Sequence, residues 1–505
     1  MRAGLVVETR SGRVCGADAG GLRVWRGIPY AQPPVGALRH RPPEPVEAWS
    51  GVRAADAVPP RAMQADVASP LLGGLAGQPE CAEDCLYLNV AVSDEPPPPG
   101  GYPVLLWIHG GGYLRGSGAG DPVGDGVALA RRGLAVVTFN YRLGAFGFLS
   151  LADVLGPGEA DAGNAGLLDQ VAALRWVRNN IAAFGGNPRS VTVYGVSAGA
   201  KSVANLLASP RAAGLITRAI SSSGGGEHVM APKQALALRR RLFAALGLAD
   251  SAAGRLRDVP ARDLLDAQES IASGPTATWI WRPSLGPALP RWPIDAIAGG
   301  AARGVALLAG NNANEGATYQ ALEPSAAGQA PRVLRELFGP ATAAAILRRY
   351  AAARPDLDEA GVHLAVLGDE RYGIPTHRLA LAHAGHTPVW RYRLDAAPPG
   401  VPAGLAGGHG LDAVLVWGSD HLAPPDDPRA RLGRAMADAW AGFARTGDPA
   451  SASLGPWPVY TVERRATLVL DTDPHVETAP DAAVTALWKG RTWASGTWWS
   501  IDGVS

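Results

Sequence analysis

Short apolar runs without a polar face recur along this chain, separated by stretches of helical spacing or by Gly/Pro-rich segments. Val104-Leu105-Leu106-Trp107-Ile108, Leu134-Ala135-Val136-Val137-Thr138-Phe139 and Ser190-Val191-Thr192-Val193-Tyr194 read as strands buried on both faces. Between the second and third runs, apolar residues fall at Leu167, Leu168, Val171, Leu174, Val177 and Ile181. That is helical spacing over Gly166 to Ala183, and Gly185-Gly186-Asn187-Pro188 stops the helix. Val305–Ala309 and Pro388–Tyr392 repeat the strand pattern, and Leu5-Val6-Val7 is a shorter strand-like piece. A late helix places Leu432, Met436, Ala439, Trp440 and Phe443 on one face and ends near Gly447. Strands alternating with helices predict the α/β class, with a large, mostly parallel central sheet and helices on both faces. Ala/Arg/Leu-rich stretches near 230–270 and 320–360 read as helical insertions, and Pro96 to Gly101 as a surface loop. With no internal repeat visible, residues 1–505 are expected to form a single domain.

Charge narrows the partners. Lys+Arg is 46 and Asp+Glu 45, so the formal net charge is +1, and basic clusters such as Arg239-Arg240-Arg241 are short. Neither nucleic acid nor an anionic membrane is expected as a partner. No apolar run is long enough to span a bilayer. The stretch from Met1 to Arg10 regains charge before an apolar signal segment forms, so a cytoplasmic location is expected. Cys15, Cys81 and Cys85 are too few for a disulfide framework. Cys81 and Cys85 could pair across a tight loop, but reduced thiols suit the compartment better.

Chemistry enters at Gly195-Val196-Ser197-Ala198-Gly199, a G-x-S-x-G set between the run ending at Tyr194 and a helix-like run from Ala200 to Leu207. A serine on a sharp strand-to-helix turn holds its hydroxyl clear of the sheet, and only glycine lets the backbone turn so tightly. The helix N-terminus there favours a developing oxyanion. His109-Gly110-Gly111-Gly112-Tyr113 directly follows another predicted strand, where a glycine run lets backbone N–H groups approach a substrate oxygen. Its plainer reading is a Gly-rich turn. A serine hydroxyl also needs a base and an orienting acid.

Several longer strings resemble the type-B carboxylesterase family, the carboxylesterase/cholinesterase-like α/β-hydrolases. They are Arg26 to Pro34, Glu83 to Val90, His109 to Tyr113, Asn140 to Leu149, Asn164 to Gln170 and the serine turn, and the likeness continues to Trp440–Pro449 and Trp457-Pro458. In this fold the chain order is serine, acid, histidine. Of the histidines beyond Ser197, His409 stands in Gly407-Gly408-His409-Gly410-Leu411-Asp412, similar to the string in which the family carries its base. His228, His363, His377, His383, His386, His421 and His475 lack such a motif. Asp412 stands where the family more often has Glu, and lies too close in sequence to be the triad acid. Glu315, in Asn312-Ala313-Asn314-Glu315-Gly316 after a predicted strand, is the expected acid; Asp295 and Asp369 are alternatives without comparable context. The resemblance further implies Gly111, Gly112 and Ala198 as oxyanion donors, and Ser223 as a serine supporting the triad by a hydrogen bond. No cofactor is implied, and no metal-binding spacing occurs.

Departures from the family pattern bear on substrate. Val196 replaces a Glu common in relatives, which suggests a more apolar pocket. Gln64 to Glu80 contains no Trp to hold a quaternary ammonium, so choline esters are poor candidates. The family's partner for Cys85 lies upstream, near Ala62, where this chain has no Cys. Trp279, Trp281 and Trp417 are candidates for an acyl or alcohol pocket and equally for core. Trp493, Trp498 and Trp499 are expected to pack on the body or at a subunit contact. The expected activity is that of a serine carboxylesterase on small-molecule esters, as monomer or homodimer. The rivals are a catalytically inactive binding homologue, or a lipase, lactonase or amidase of the same fold.

Overall fold

The computed structural model describes residues 5–66, 79–118, 126–271, 280–418, 424 and 426–493. Its principal sheet has eleven strands. Numbered along the chain within that sheet, the first six are β1 (Ala17–Asp18), β2 (Leu22–Pro29), β3 (Tyr87–Ser93), β4 (Tyr102–Ile108), β5 (Ala135–Phe139) and β6 (Gly186–Val196). The remainder are β7 (Arg218–Ser222), β8 (Ala306–Asn312), β9 (Val389–Leu394), β10 (Ala466–Leu470) and β11 (His475–Thr478). Across the sheet they lie in the order β11-β10-β9-β8-β7-β6-β4-β5-β3-β2-β1. The strands from β10 to β5 in that order are parallel, and antiparallel pairs flank them at both ends.

The three strongest apolar runs are neighbours at the centre. Val104 pairs with Val191 on one side and Ala135 on the other. Period-two alternation divides their side chains between two buried clusters. Val104, Leu106, Ile108, Val191 and Val193 face one, and Leu105, Trp107, Tyr194 and Val196 face the other. Helices α1 (Ala165–Asn180) and α2 (Ala198–Ala208) cover the first face. After α3 (Glu315–Leu322), helices α4 (Leu411–Gly418) and α5 (Pro428–Thr446) cover the second. α5 is the late amphipathic helix. Asp427 Oδ1 accepts from Arg429 N at its start (2.7 Å), and Gly447 at φ 85° ends it.

The ends of elements moved most. The helix predicted to Ala183 is α-helical to Asn180 and tightens into a 3-10 turn over Ile181–Phe184. β6 starts at Gly186, ahead of the predicted run. Its ladder shifts between Asn187 and Val191, which accommodates Pro188 and its missing N–H. Leu5-Val6-Val7 leads into a separate small sheet of Val6–Thr9, Gly12–Cys15 and Val52–Ala54. The stretch 230–270 contains helices Pro232–Ala245 and Ala261–Ile271, and 320–360 contains Ala330–Phe338 and Pro340–Ala353. Cys15, Cys81 and Cys85 are free thiols. Among the described residues no helix is long and apolar enough to cross a membrane.

Topology alone locates a crevice. From β4 the chain moves to β5 on one side, and from β6 to β7 on the other. The loops leaving the carboxyl ends of β4 and β6 therefore diverge, which is where open α/β sheets form their binding sites. Those two loops carry His109–Tyr113 and Ser197.

A buried ion pair fixes the approach of α1 to this crevice. Asp169 on α1 receives Arg142 Nη2 (2.6 Å), Nε (2.8 Å) and backbone N (3.0 Å), and Arg142 Nη1 donates onward to Arg41 O (2.7 Å). Both side chains are almost wholly excluded from solvent. Burial opposes the charge on Arg142, but the Asp169 carboxylate outweighs it and raises the pKa above the ordinary arginine range. Removing one partner leaves an uncompensated buried charge. Asp169→Asn is therefore expected to lower unfolding free energy by about 3–5 kcal/mol, read from the urea midpoint. The paired change Arg142→Met with Asp169→Leu should recover most of that loss.

Candidate active site

Ser197 joins β6 to α2 with φ 59° and ψ −121°. These are angles of the first central residue of a type II′ turn, a place usually given to glycine. Ser197 N donates to Ser222 O at the end of β7 (2.9 Å), and Lys201 N donates to Ser197 O (3.0 Å) as α2 begins. The two flanking glycines are steric requirements. A Cβ on Gly195 would strike the Gly199 carbonyl, and one on Gly199 would strike the Ile108 carbonyl oxygen that ends β4. The predicted strand-turn-helix is present.

The glycine loop after β4 rests against this turn. A Cβ on Gly110 would lie 2.8 Å from Val196 O and 3.2 Å from Ser197 Cβ. Gly111 (φ 101°) and Gly112 (φ 67°) turn the chain back, with Leu114 N and Arg115 N both donating to Gly111 O. The Gly111 and Gly112 N–H groups donate to no acceptor among the described residues. Ala198 N–H, as the first of α2, has no acceptor within its helix. His109 is a brace. Its Nδ1 donates to Gly110 O (2.9 Å), its ring stacks on Tyr141 at 4.4 Å, and burial pushes its pKa down to about 4. Gln64 secures the far end of the loop by accepting from Gly116 N and donating to Gly116 O, both at 3.0 Å.

Glu315 and His409, remote in sequence, meet directly. His409 Nδ1 lies 2.6 Å from Glu315 Oε2. The carboxylate is buried, and its other oxygen accepts from Ser223 Oγ (2.6 Å), Asn312 N (2.8 Å) and Asn312 Nδ2 (3.4 Å). Glu315 opens α3, where the helix dipole favours negative charge. The two loops are stitched together by Asn314 N to Gly407 O (2.8 Å) and Thr318 Oγ1 to His409 O (3.2 Å). Ser223 N donates to Gly310 O (2.7 Å), so the serine that steadies Glu315 immediately follows the residue that holds Ser197. Among the described residues, Ser197 Oγ makes no hydrogen bond.

Other titratable candidates have local duties. His383 Nε2 donates to Val305 O (2.6 Å), His386 Nε2 to Ala298 O (2.8 Å), and His377 meets Tyr460 Oη (3.3 Å). Burial pushes His377 down to about 3 and lowers His383. His421 lies outside the described residues. Asp369 accepts from Tyr350 Oη (2.9 Å), and burial raises its carboxyl to about 7. Asp412 accepts from Tyr392 Oη (2.6 Å), and Tyr392 bonds Ser222 Oγ (2.5 Å), so this acid braces the serine turn from beneath. Burial raises Asp412 too.

Sequence reading missed the shell around these groups. Asn312 supports Glu315 through backbone and side chain, and its only sequence signal was its place in the Asn312-to-Gly316 string. Tyr372 stacks on His409 at 4.1 Å, and Tyr319 lies tilted to the same ring at 5.7 Å. Neither carried a signal. Val196 and two of the tryptophans pack in the core. Val196 is buried in the cluster of Tyr194, Trp107 and Trp417, so its apolarity serves the core under the turn. Trp417 packs on Trp107 (5.0 Å) and stacks on Tyr194 (5.9 Å) as core, and Trp281 is wholly buried. Trp493 packs on the body through Trp488 (4.8 Å) and donates to Glu370 Oε1 (2.7 Å). Trp279, Trp498, Trp499 and most of the Gln64–Glu80 stretch lie outside the described residues.

A mostly parallel sheet covered by helices on both faces, with a serine on the strand-to-helix turn at its central crevice, is the α/β-hydrolase fold. Residues 3–488 match the carboxylesterase family; the chain belongs to it and is a hydrolase of carboxylic esters. It is 38% identical over 491 residues to the para-nitrobenzyl esterase of Bacillus subtilis (strain 168), covering 94% of this chain and 97% of that one. Liver carboxylesterase of Sus scrofa is 32% identical over 511 residues, covering 91% and 88%. Among solved structures, a carboxylesterase of Geobacillus stearothermophilus at pH 6.2 superposes with a TM-score of 0.85 at 38% identity, covering 96% of this chain and 100% of that one.

The steric argument at the turn is directly testable. Gly199→Ala drives a methyl group into the Ile108 carbonyl, so we expect a loss of about 2–3 kcal/mol in the denaturation midpoint. Ester hydrolysis should fall at least about 100-fold in the folded fraction, because the serine is displaced.

Proposed function

We propose that ester hydrolysis in this chain runs through Ser197 as nucleophile, His409 as general base and Glu315 as the acid that orients it. The supporting observation is the 2.6 Å contact of His409 Nδ1 with the buried, fourfold hydrogen-bonded Glu315 carboxylate. A carboxylate at Nδ1 favours a proton there, which leaves Nε2 to take the proton of Ser197. The Ser197–His409 hydrogen bond is expected to close as substrate seats.

Ser197 Oγ attacks the ester carbonyl while His409 Nε2 removes its proton. The carbonyl oxygen becomes an oxyanion that accepts from the N–H groups of Gly111, Gly112 and Ala198. His409 then protonates the leaving alkoxide, and the acyl group remains on Ser197. Water, deprotonated by the same imidazole, releases the acid and restores the serine. Uncharged esters, including nitrobenzyl esters of the kind that name the Bacillus subtilis relative, are the proposed substrates. A reducing, cytoplasmic setting is proposed with it, supported by the three free thiols.

Ser197→Ala should lower kcat/KM for p-nitrophenyl acetate by about 10^4-fold or more and abolish fluorophosphonate labelling. Parent activity in that variant would overturn the assignment, and failure of the folded parent to label would favour an inactive binding homologue. Ser223→Ala removes one donor from Glu315 and should cost roughly tenfold in kcat, with little change in KM. A chain-length series of acyl esters against matched amides should show esters preferred, and a preference for amides would move the reaction class.

A further inference from the structure

The proposed mechanism has no use for Lys201, yet its ammonium is buried against backbone that adjoins the machinery. Lys201 lies in the first turn of α2, and its backbone N–H closes that turn on Ser197 O (3.0 Å). Its Nζ donates to Gly224 O and to Arg371 O, each at 2.8 Å. Gly224 follows Ser223, whose hydroxyl holds Glu315. Arg371 precedes Tyr372, whose ring stacks on the His409 imidazole at 22° between planes. Lys201 Nζ also stands 5.2 Å from the Tyr372 ring centroid, within cation–π range. The segment Asp369–Gly373 is a single π-helical turn, a deformation that presents its backbone differently from the helices on either side.

Burial of an ammonium is costly unless charge partners and hydrogen bonds compensate it. Glu227 and Glu370 offset the charge, Glu315 adds to them at longer range, and Arg371 opposes it. Even so, burial lowers the Lys201 pKa to about 7. What the ammonium supplies, and an aliphatic chain would not, is two directed hydrogen bonds to two backbone segments. We propose that Lys201 is a positioning residue, tying the helix behind Ser197 to the backbones that carry Ser223 and Tyr372. It thereby sets the nucleophile against Glu315 and His409. The inference rests on the reading of Ser197, Glu315 and His409 given above.

Lys201→Met in the full-length chain removes the donors and keeps the length. Its kcat for p-nitrophenyl acetate is expected to fall about 10- to 100-fold with KM within threefold, because a misplaced nucleophile loses rate rather than binding. The rate of fluorophosphonate inactivation should fall by a similar factor. Lys201→Gln, which keeps an amide donor without the charge, should recover part of both losses; it also carries the test if Lys201→Met does not fold. A folded Lys201→Met protein with parent kcat, or with raised KM and unchanged kcat, overturns the proposal. Such a result beside an inactive Ser197→Ala would leave the triad reading intact. Activity retained in Ser197→Ala would instead overturn the triad reading itself.

Discussion

The left-handed backbone at Ser197 is the constraint on which the rest of the site depends. A side-chain-bearing residue held at φ 59° and ψ −121° costs about 1–3 kcal/mol, and the surroundings must over-determine it. They do so from three sides. β6 is hydrogen-bonded to β4 and β7, Ser222 O takes the Ser197 N–H, and α2 begins at once. The turn is so tight that α2 starts in contact with the end of β4, which excludes a side chain at Gly195 and Gly199. The same closeness brings the Gly110–Gly112 loop to the serine without any further device. Strain at one residue therefore sets the position of two loops.

A constraint of this kind is legible in sequence because it is local and demands particular residue types. Glycine at two positions around a serine, a β-branched run before and a helical run after, follow from backbone geometry alone. The central strands were legible for a similar reason: burial on both faces leaves no polar alternation. The pairing of Glu315 with His409 was not readable from local patterning, since the two lie 94 residues apart. It came from the family resemblance of their two strings. Strand β3 escaped notice because Asn89 interrupts its apolar pattern. Asn89 Nδ2 donates to Gly118 O and Thr138 Oγ1, both at 2.9 Å, and its Oδ1 accepts from Gly27 N (3.1 Å). Such cross-chain satisfaction has no signature in a single segment. The core packing of Val196 follows from periodicity. Tyr194 and Val196 share a face of β6, and that face belongs to the core with Trp417.

Burial also sorts the histidines. His40, His109, His377 and His383 are enclosed, and desolvation drives each of them toward the neutral form. Their ring nitrogens, where bonded, meet backbone carbonyls or a tyrosine. His409 alone among the described histidines has a buried carboxylate on Nδ1 and an aromatic face on its ring. A general base needs a partner that stabilises the imidazolium it becomes, and a backbone carbonyl supplies much less of that than a carboxylate.

The same logic applies to the acids. Glu315 and Asp412 lie buried and Asp369 partly so, and like charges with so little solvent between them repel one another. Burial raises both aspartates, with repulsion from Asp481 and, more weakly, Glu315 adding at Asp369, and from Glu315 at Asp412. Asp369 is given Tyr350, and Asp412 is given Tyr392, Ala413 N and the Asn312 side-chain amide at 3.5 Å. Glu315 is given a serine hydroxyl, the backbone and side-chain amides of Asn312, and the imidazole of His409. Of the three, Glu315 is the carboxylate that meets an imidazole. An aspartate that takes up a proton as pH falls relieves repulsion at Glu315.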